Sequence, residues 1–249
     1  MPIELTDFRN FLALCWDHLG LPKPTPIQYD IAYYLQHGAK RRIIEAYRGV
    51  GKSWVTSAFV VWKLLLNPQE KILVVSASKE RSDSFALFTK RLISEMPILM
   101  HLAPRHDQRS SNIAFDVAPS KAAHAPSVKS VGINGQITGS RATIIIADDI
   151  EVVNNSASQL QREQLSNKIR EFDAVLSPNG DIIYLGTPQT EESIYNTLPE
   201  RGYEIRVWPA RYPKDQKAVD SYLGRLSPMF YKHLEEHGDA LFWQVTDPT

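Results

Sequence analysis

The run Arg48-Gly49-Val50-Gly51-Lys52-Ser53 constrains this chain more than any other feature of it. It follows a short apolar stretch, Arg42-Ile43-Ile44-Glu45-Ala46-Tyr47. It precedes an amphipathic one in which Val55, Phe59, Trp62 and Leu66 recur at helical spacing. Strand, glycine-rich loop, helix is the context in which Gly-Lys-Ser becomes a phosphate cradle. Backbone N–H groups of the loop and of the helix N-terminus point at an anion, Lys52 adds a point charge, and the Ser53 hydroxyl suits Mg²⁺. The full pattern, G-x-x-x-x-G-K-[ST], has glycine where this chain has Ala46. The expectation is a bound nucleoside triphosphate, held by Tyr47, Arg48, Gly49, Val50, Gly51, Lys52, Ser53 and Trp54.

Composition narrows the partners. Lys+Arg and Asp+Glu both number 28, so the net charge is zero and a strongly basic, nucleic-acid-coating surface is excluded. Contact with nucleic acid then needs a local patch, or a ring of subunits that concentrates small patches. A single cysteine, Cys15, rules out internal disulfides and four-cysteine metal sites, which suits a reducing cytosol. The chain has no apolar run long enough to span a bilayer, and its start lacks the layout of a signal peptide. A soluble intracellular protein is expected, with no membrane partner.

Along the chain, Phe8 to Leu19 has helical spacing, and Thr25-Pro26 caps and opens a second helix through Leu35. Ile72 to Ser76 is a continuous apolar run, as in a buried parallel strand, and residues 79–95 are helical. Strands are expected at 113–118 and 128–133, followed by a hairpin-type turn at Asn134-Gly135. Ala142 to Ala147 is another buried strand, and Ser156 with Gln159 makes a capping box for a helix to about Val175. Asp181 to Leu185 and Tyr203 to Trp208 are the last strands. Strands alternating with helices predict a doubly wound, mainly parallel α/β sheet. The expected organisation is a helical flap over 1–40, a P-loop core over 41–210 and a tail over 211–249.

Thr143-Ile144-Ile145-Ile146-Ala147-Asp148-Asp149-Ile150-Glu151 is the second chemical element: an apolar strand that delivers acids at its carboxyl end. This is the Walker B layout, and Asp148 is the metal-side carboxylate that joins Ser53 on Mg²⁺. Asp149 and Glu151 are both candidates to polarise water, because residues i and i+2 of an extended chain face one side. Position favours Asp149. The spacing from Lys52 to Asp148 includes a further buried strand, Ile72 to Ser76, which is the arrangement of RecA-like (ASCE) motors and not of small kinases. Tyr184-Leu185-Gly186-Thr187-Pro188 ends the next strand at the carboxyl edge, where open α/β sheets bind ligands, so Thr187 is a candidate γ-phosphate sensor. Gln28 reads equally as a bridge to the adenine edge and as one half of a capping box with Thr25. Arg48, in the loop, and Arg141, just before the acidic strand, are candidates to stabilise charge on the transferring phosphoryl, the first in cis and the second from a neighbouring subunit.

These motifs, with Val74 to Arg81, Gly135 to Arg141 and Tyr184 to Thr190, resemble the ATPase half of the large terminase subunit of tailed bacteriophages. The likeness is to the DNA maturase B type of short-tailed phages and covers nearly the whole chain. The resemblance implies a RecA-like ATPase that binds ATP and Mg²⁺ in the cytoplasm of the infected host. It implies a homo-oligomeric ring, usually a pentamer, seated on the procapsid portal protein. There the ring drives double-stranded DNA inward, with a small terminase subunit as a further partner. It also implies an adenine-contacting role for Gln28, a phosphate-loop role for Arg48 and membership of the coupling motif for Thr187. The family's usual Asp-Glu pair is Asp148-Asp149 here, and no carboxylate cluster of a nuclease follows Thr190. Two other readings use the same motifs: a helicase-like nucleic-acid translocase, and a non-catalytic module in which nucleotide only holds an assembly together.

Overall fold

The computed structural model describes residues 3–187 and 193–237, with side chains through Lys232. Two helices come first, α1 (Phe8–His18) and α2 (Pro26–His37), and β1 (Arg41–Ala46) runs into α3 (Lys52–Leu66). Then follow β2 (Ile72–Ser76), α4 (Lys79–Glu95), the two-residue β3 (Ala114–Phe115) and β4 (Val128–Gly132). The second half contains β5 (Ala142–Asp148), α5 (Val153–Ser156), α6 (Gln159–Val175) and β6 (Leu176–Gly186). It closes with α7 (Ile194–Thr197), β7 (Glu204–Trp208), α8 (Gln216–Asp220) and α9 (Pro228–His237).

The strands form one sheet in the order β3-β4-β2-β5-β6-β1-β7, parallel throughout except for β3 against β4. Alternation along each strand feeds two cores. Ile44, Val74, Ile146, Ile183 and Leu185 face a layer built from α1 to α4, where Phe8, Ile31, Phe59 and Phe85 pack. Ile43, Val75, Ile145, Ile182 and Tyr184 face the other way, against Leu165, Ile169 and Phe172 of α6 and Tyr195 of α7. A parallel sheet covered on both faces explains why β2 reads as an unbroken apolar run, all of it buried. It also explains the two N-terminal helices. Phe8, Phe11, Leu12 and Ile31 are fully buried in the same core as β1, so α1 and α2 are part of the sheet's cover.

Two local expectations change. The Asn134-Gly135 turn exists, with the Gly135 N–H bonded to the Gly132 carbonyl at 2.7 Å, but it makes no hairpin. The strands on either side of it, β4 and β5, both pair in parallel with β2, which lies between them. The capping box of α6 is Ser158 with Gln161, not Ser156 with Gln159. Both pairs match the box, but the Ser156 hydroxyl is already bonded back to the Val152 carbonyl at 2.8 Å within α5. The strand lying between β1 and β5 in the sheet is β6; β2, which intervenes in sequence, sits on the far side of β5.

Candidate functional site

Because β1, β6 and β5 are neighbours, their carboxyl ends bring the phosphate loop, Gly186-Thr187 and Asp148 side by side. The loop turns on positive φ at Gly49 (97°) and Gly51 (81°). Gly51 caps α3 with backbone alone, and a Cβ there would sit 3.2 Å from Gln28 Nε2 as well as being strained. Ala46 stands at the pattern's glycine without penalty: it is the last residue of β1 and needs no left-handed backbone. Arg48, Gly49, Gly51, Lys52, Ser53 and Trp54 line a cavity of about 940 Å³, together with Gln28, Asp149, Glu151 and Thr187.

Lys52 and Asp148 are both 8% exposed. The Lys52 ammonium donates to the Ala46 carbonyl at 2.5 Å, to the Tyr47 carbonyl at 3.3 Å and to Thr187 Oγ1 at 3.3 Å. Burial lowers its pKa, against the opposing pull of Asp149 and Asp148. The Ser53 hydroxyl lies 2.9 Å and 3.1 Å from the two Asp148 oxygens. Burial, reinforced by the adjacent Asp149, pushes the Asp148 carboxyl up to about 6, while the Ser53 hydrogen bond and the charges of Lys52 and Arg81 work the other way.

Asp149 and Glu151 separate in a way the i, i+2 argument did not foresee. The strand ends at Asp148, and Asp149 takes a left-handed φ of 46° with its N–H bonded to the Leu185 carbonyl at 2.8 Å. The chain is therefore not extended through 149–151, and a shared face no longer follows from spacing. Both residues still line the cavity. Asp149 is half-buried there, whereas Glu151 is 2% exposed, with Oε2 accepting from Ser193 Oγ at 2.6 Å and from the Ile194 N–H at 3.1 Å. Burial raises the Glu151 pKa, and those two hydrogen bonds partly offset it.

Gln28 makes the capping box and also stands at the cavity wall. Its Oε1 accepts from the Thr25 N–H at 2.9 Å and its own N–H donates to Thr25 Oγ1 at 3.2 Å, which completes the capping box. Its Nε2 meanwhile donates to the Val50 carbonyl at 3.0 Å, tying α2 to the phosphate loop at the cavity wall. Val50 itself is buried in the core. The Tyr47 side chain lines a second cavity of about 350 Å³, shared with Glu45, Thr187, Trp208 and Arg225. Arg48 is exposed at the first cavity, so the structure joins it to Lys52 and Asp149. Arg141 is not joined to them. It precedes β5, roughly 20 Å along that strand from Asp148 at about 3.3 Å per residue. There it lines a small cavity of about 120 Å³ with His124 and Lys129. Pro188, Gln189 and Thr190, the rest of the expected coupling motif, lie outside the described residues.

Sequence reasoning passed over Trp16, Leu21 and Arg81, which also line the cavity, as do Val152, Val153 and Asn154. Arg81 had a usable signal: it falls in the first turn of the helix after β2, and β2 pairs with β5 so that Ser76 stands opposite Asp148. Trp16 and Leu21 had none, since only the packing of α1 and α2 on α3 brings them to the loop.

Known proteins match this arrangement. A family model described as terminase large subunit, T4likevirus-type, N-terminal, matches residues 43–232. The large terminase subunit of enterobacteria phage T3 is 50% identical over 246 residues, which is 97% of this chain and 42% of that protein. The chain thus spans less than half the length of that relative. Among solved structures, a Thermus phage P74-26 large terminase ATPase domain aligns over 92% of this chain and 95% of its own at 15% identity, with a TM-score of 0.47. Dbp5 of S. cerevisiae aligns over 80% of this chain and 51% of its own at 14% identity and a TM-score of 0.50, a likeness of fold alone. The fold is that of RecA-like ATPase domains.

Proposed function

The chain belongs to the terminase large-subunit family as its N-terminal domain, and we propose that it is the ATPase motor that drives double-stranded DNA into a viral procapsid. The observation that carries this reading is the Ser53 hydroxyl bonded to the Asp148 carboxylate beside buried Lys52. A hydroxyl and a carboxylate are the hard oxygen donors that Mg²⁺ takes, so Ser53 and Asp148 suit the ion. When bound, Mg²⁺ supplies positive charge to the β- and γ-phosphate oxygens.

The remaining residues have roles that follow from their places. Lys52, Arg48 and the N–H groups around Gly49, Gly51 and the start of α3 hold the phosphates of ATP. Arg81 faces them from the neighbouring strand end. Gln28, with Trp16 and Leu21, forms the wall suited to the base. Asp149, half-buried and at the same cavity, orients the attacking water and accepts its proton. Thr187, bonded to Lys52, senses the γ-phosphate from β6. Arg141, too far from its own site, serves a neighbour's, which requires a ring; a pentamer on the portal protein, working with the small terminase subunit in the host cytoplasm, is the assembly proposed. In this scheme residues 41–210 are the motor core, the helices of 1–40 cover one face of its sheet and 211–249 are the tail.

ATP turnover measured against protein concentration, with and without double-stranded DNA, tests the proposal. Turnover that rises faster than linearly with concentration and is stimulated by DNA is expected. Mg-ATP that binds without being hydrolysed at any concentration would leave the assembly-module reading, and coupled strand separation would favour the helicase-like one.

A further inference from the structure

Glu151 is 2% exposed although it lines the cavity. Oε2 is occupied by the Ser193 hydroxyl and the Ile194 N–H, and Oε1 is buried, without a hydrogen-bond partner among the described residues. The carboxylate holds the start of α7, and α7 carries Tyr195 into the core, where it is fully buried. The Tyr195 ring fills the space a side chain at Gly186 would need: a Cβ there would lie 2.3 Å from the ring. The Tyr195 hydroxyl is 3.5 Å from the Leu185 carbonyl, the same carbonyl that accepts the Asp149 N–H. Gly186 immediately precedes Thr187, whose Oγ1 accepts from Lys52 and donates to the Ala46 carbonyl at 3.2 Å.

We propose that Glu151 is a positioning residue for Thr187: it pins α7, α7 seats Tyr195 against Gly186, and that seat sets the Thr187 hydroxyl beside Lys52. The proposal rests on the ATPase reading of the cavity and removes Glu151 as the rival to Asp149. It also gives the glycine of Gly186-Thr187 a reason. Any side chain there would displace Tyr195 and, with it, the backbone that carries Thr187.

Kinetics of Mg-ATP hydrolysis by the full chain separate positioning from base catalysis. Glu151→Ala is expected to lower kcat. Glu151→Gln, which keeps an acceptor for Ser193 and Ile194, is expected to restore most of it. Adding Glu151→Ala to Thr187→Ala should cost little more than Thr187→Ala alone, because both act on one group. A Glu151→Gln variant whose turnover falls by about two orders of magnitude with nucleotide affinity intact behaves as a lost general base and overturns the proposal. So do losses that multiply in the double variant. Should Glu151→Ala fail to fold, Ser193→Ala removes one of the two hydrogen bonds and is expected to give a milder form of the Thr187→Ala defect; a folded Ser193→Ala variant with wild-type kinetics counts against the pin. Amide exchange over 194–197 gives a readout that needs no turnover. It should quicken in Glu151→Ala and return towards wild type in Glu151→Gln, and equal exchange in all three proteins overturns the pin even where the ATPase reading itself has failed.

Discussion

The two ends of β5 carry opposite chemistry in opposite states of completion. At the carboxyl end, Asp148 is bonded to Ser53, Lys52 to Thr187 and two loop carbonyls, and Asp149 to the backbone of β6. At the amino end, His124, Lys129 and exposed Arg141 line a small cavity with no carboxylate among its described residues, and an Arg141 Nη donates to the carbonyl of Ser140 at 3.2 Å. One end supplies its own counter-charges from three adjacent strands and a loop. The other gives Lys129 and Arg141 only the hydroxyl and carbonyl of Ser140 as acceptors among the described residues. The difference teaches that a cluster whose charges are met within the chain and an exposed arginine can share one strand, provided the strand is long enough to keep them apart.

The sharpest break would come from the self-sufficient end. Lys52→Ala removes the buried ammonium of the loop and is expected to abolish measurable ATP hydrolysis and weaken nucleotide binding; undiminished turnover would remove the site from this cavity. Next in size is the other end. Arg141→Ala is expected to cost about three to five decades in rate, the scale of a lost arginine finger. Mixing Arg141→Ala subunits with Lys52→Ala subunits should recover activity, since one keeps a working loop and the other the guanidinium. A mixture that stays inactive while wild-type rings assemble would make the amino end irrelevant to catalysis. Arg48→Ala is not expected to be rescued by such mixing, because Arg48 lies in its own loop at the cavity.

A smaller loss is expected within the carboxyl end. Asp149→Asn should keep ATP binding while turnover falls by about two orders of magnitude or more, the usual cost of a general base. Equilibrium binding beside single-turnover rates would check it, and an unaffected chemical step would move the base elsewhere.

The smallest effect concerns a buried acid of β1. Glu45, on β1, is 8% exposed and has a buried, unbonded Oε1. Burial pushes its carboxyl up from 4.5 to about 7, with Arg225 across the second cavity opposing the shift and Glu151 adding to it. A carboxyl raised in the folded state keeps its proton better folded than unfolded. Its contribution to stability is therefore greatest below about 4.5 and declines as pH climbs to about 7. Glu45→Gln is expected to stabilise the protein by about 1–3 kcal/mol at pH 8 relative to its effect at pH 4, read from urea melts at both. The same difference at both pH values would mean that Glu45 finds a partner after all.

Where an element depended on local pattern, it was legible. The alternation of apolar runs and amphipathic stretches set out the succession of strands and helices along the chain, and Thr25-Pro26 and Gly51-Lys52 marked helix starts that the structure places at those residues. The phosphate loop, Asp148 and Thr187 were legible for the same reason, since each sits at the end of a strand whose hydrophobic run announces it. Two matches to one capping box, Ser156 and Ser158, could not be ranked locally, because a competing bond within α5 decided between them.

Amino-acid sequence by itself determined the class of fold, the candidate residues of the loop and the acidic strand, and the family, because a strand, a glycine loop and an acid-tipped strand are short-range patterns. Only tertiary structure decided strand order, and with it that β6 and not β2 lies between the two motifs. It alone turned Glu151 towards α7, brought Trp16, Leu21 and Arg81 to the cavity wall and left Arg141 at the far end of β5. Each of these depends on which buried faces pack together across long stretches of chain. That choice is made by the summed burial of two cores and leaves no mark in any one segment.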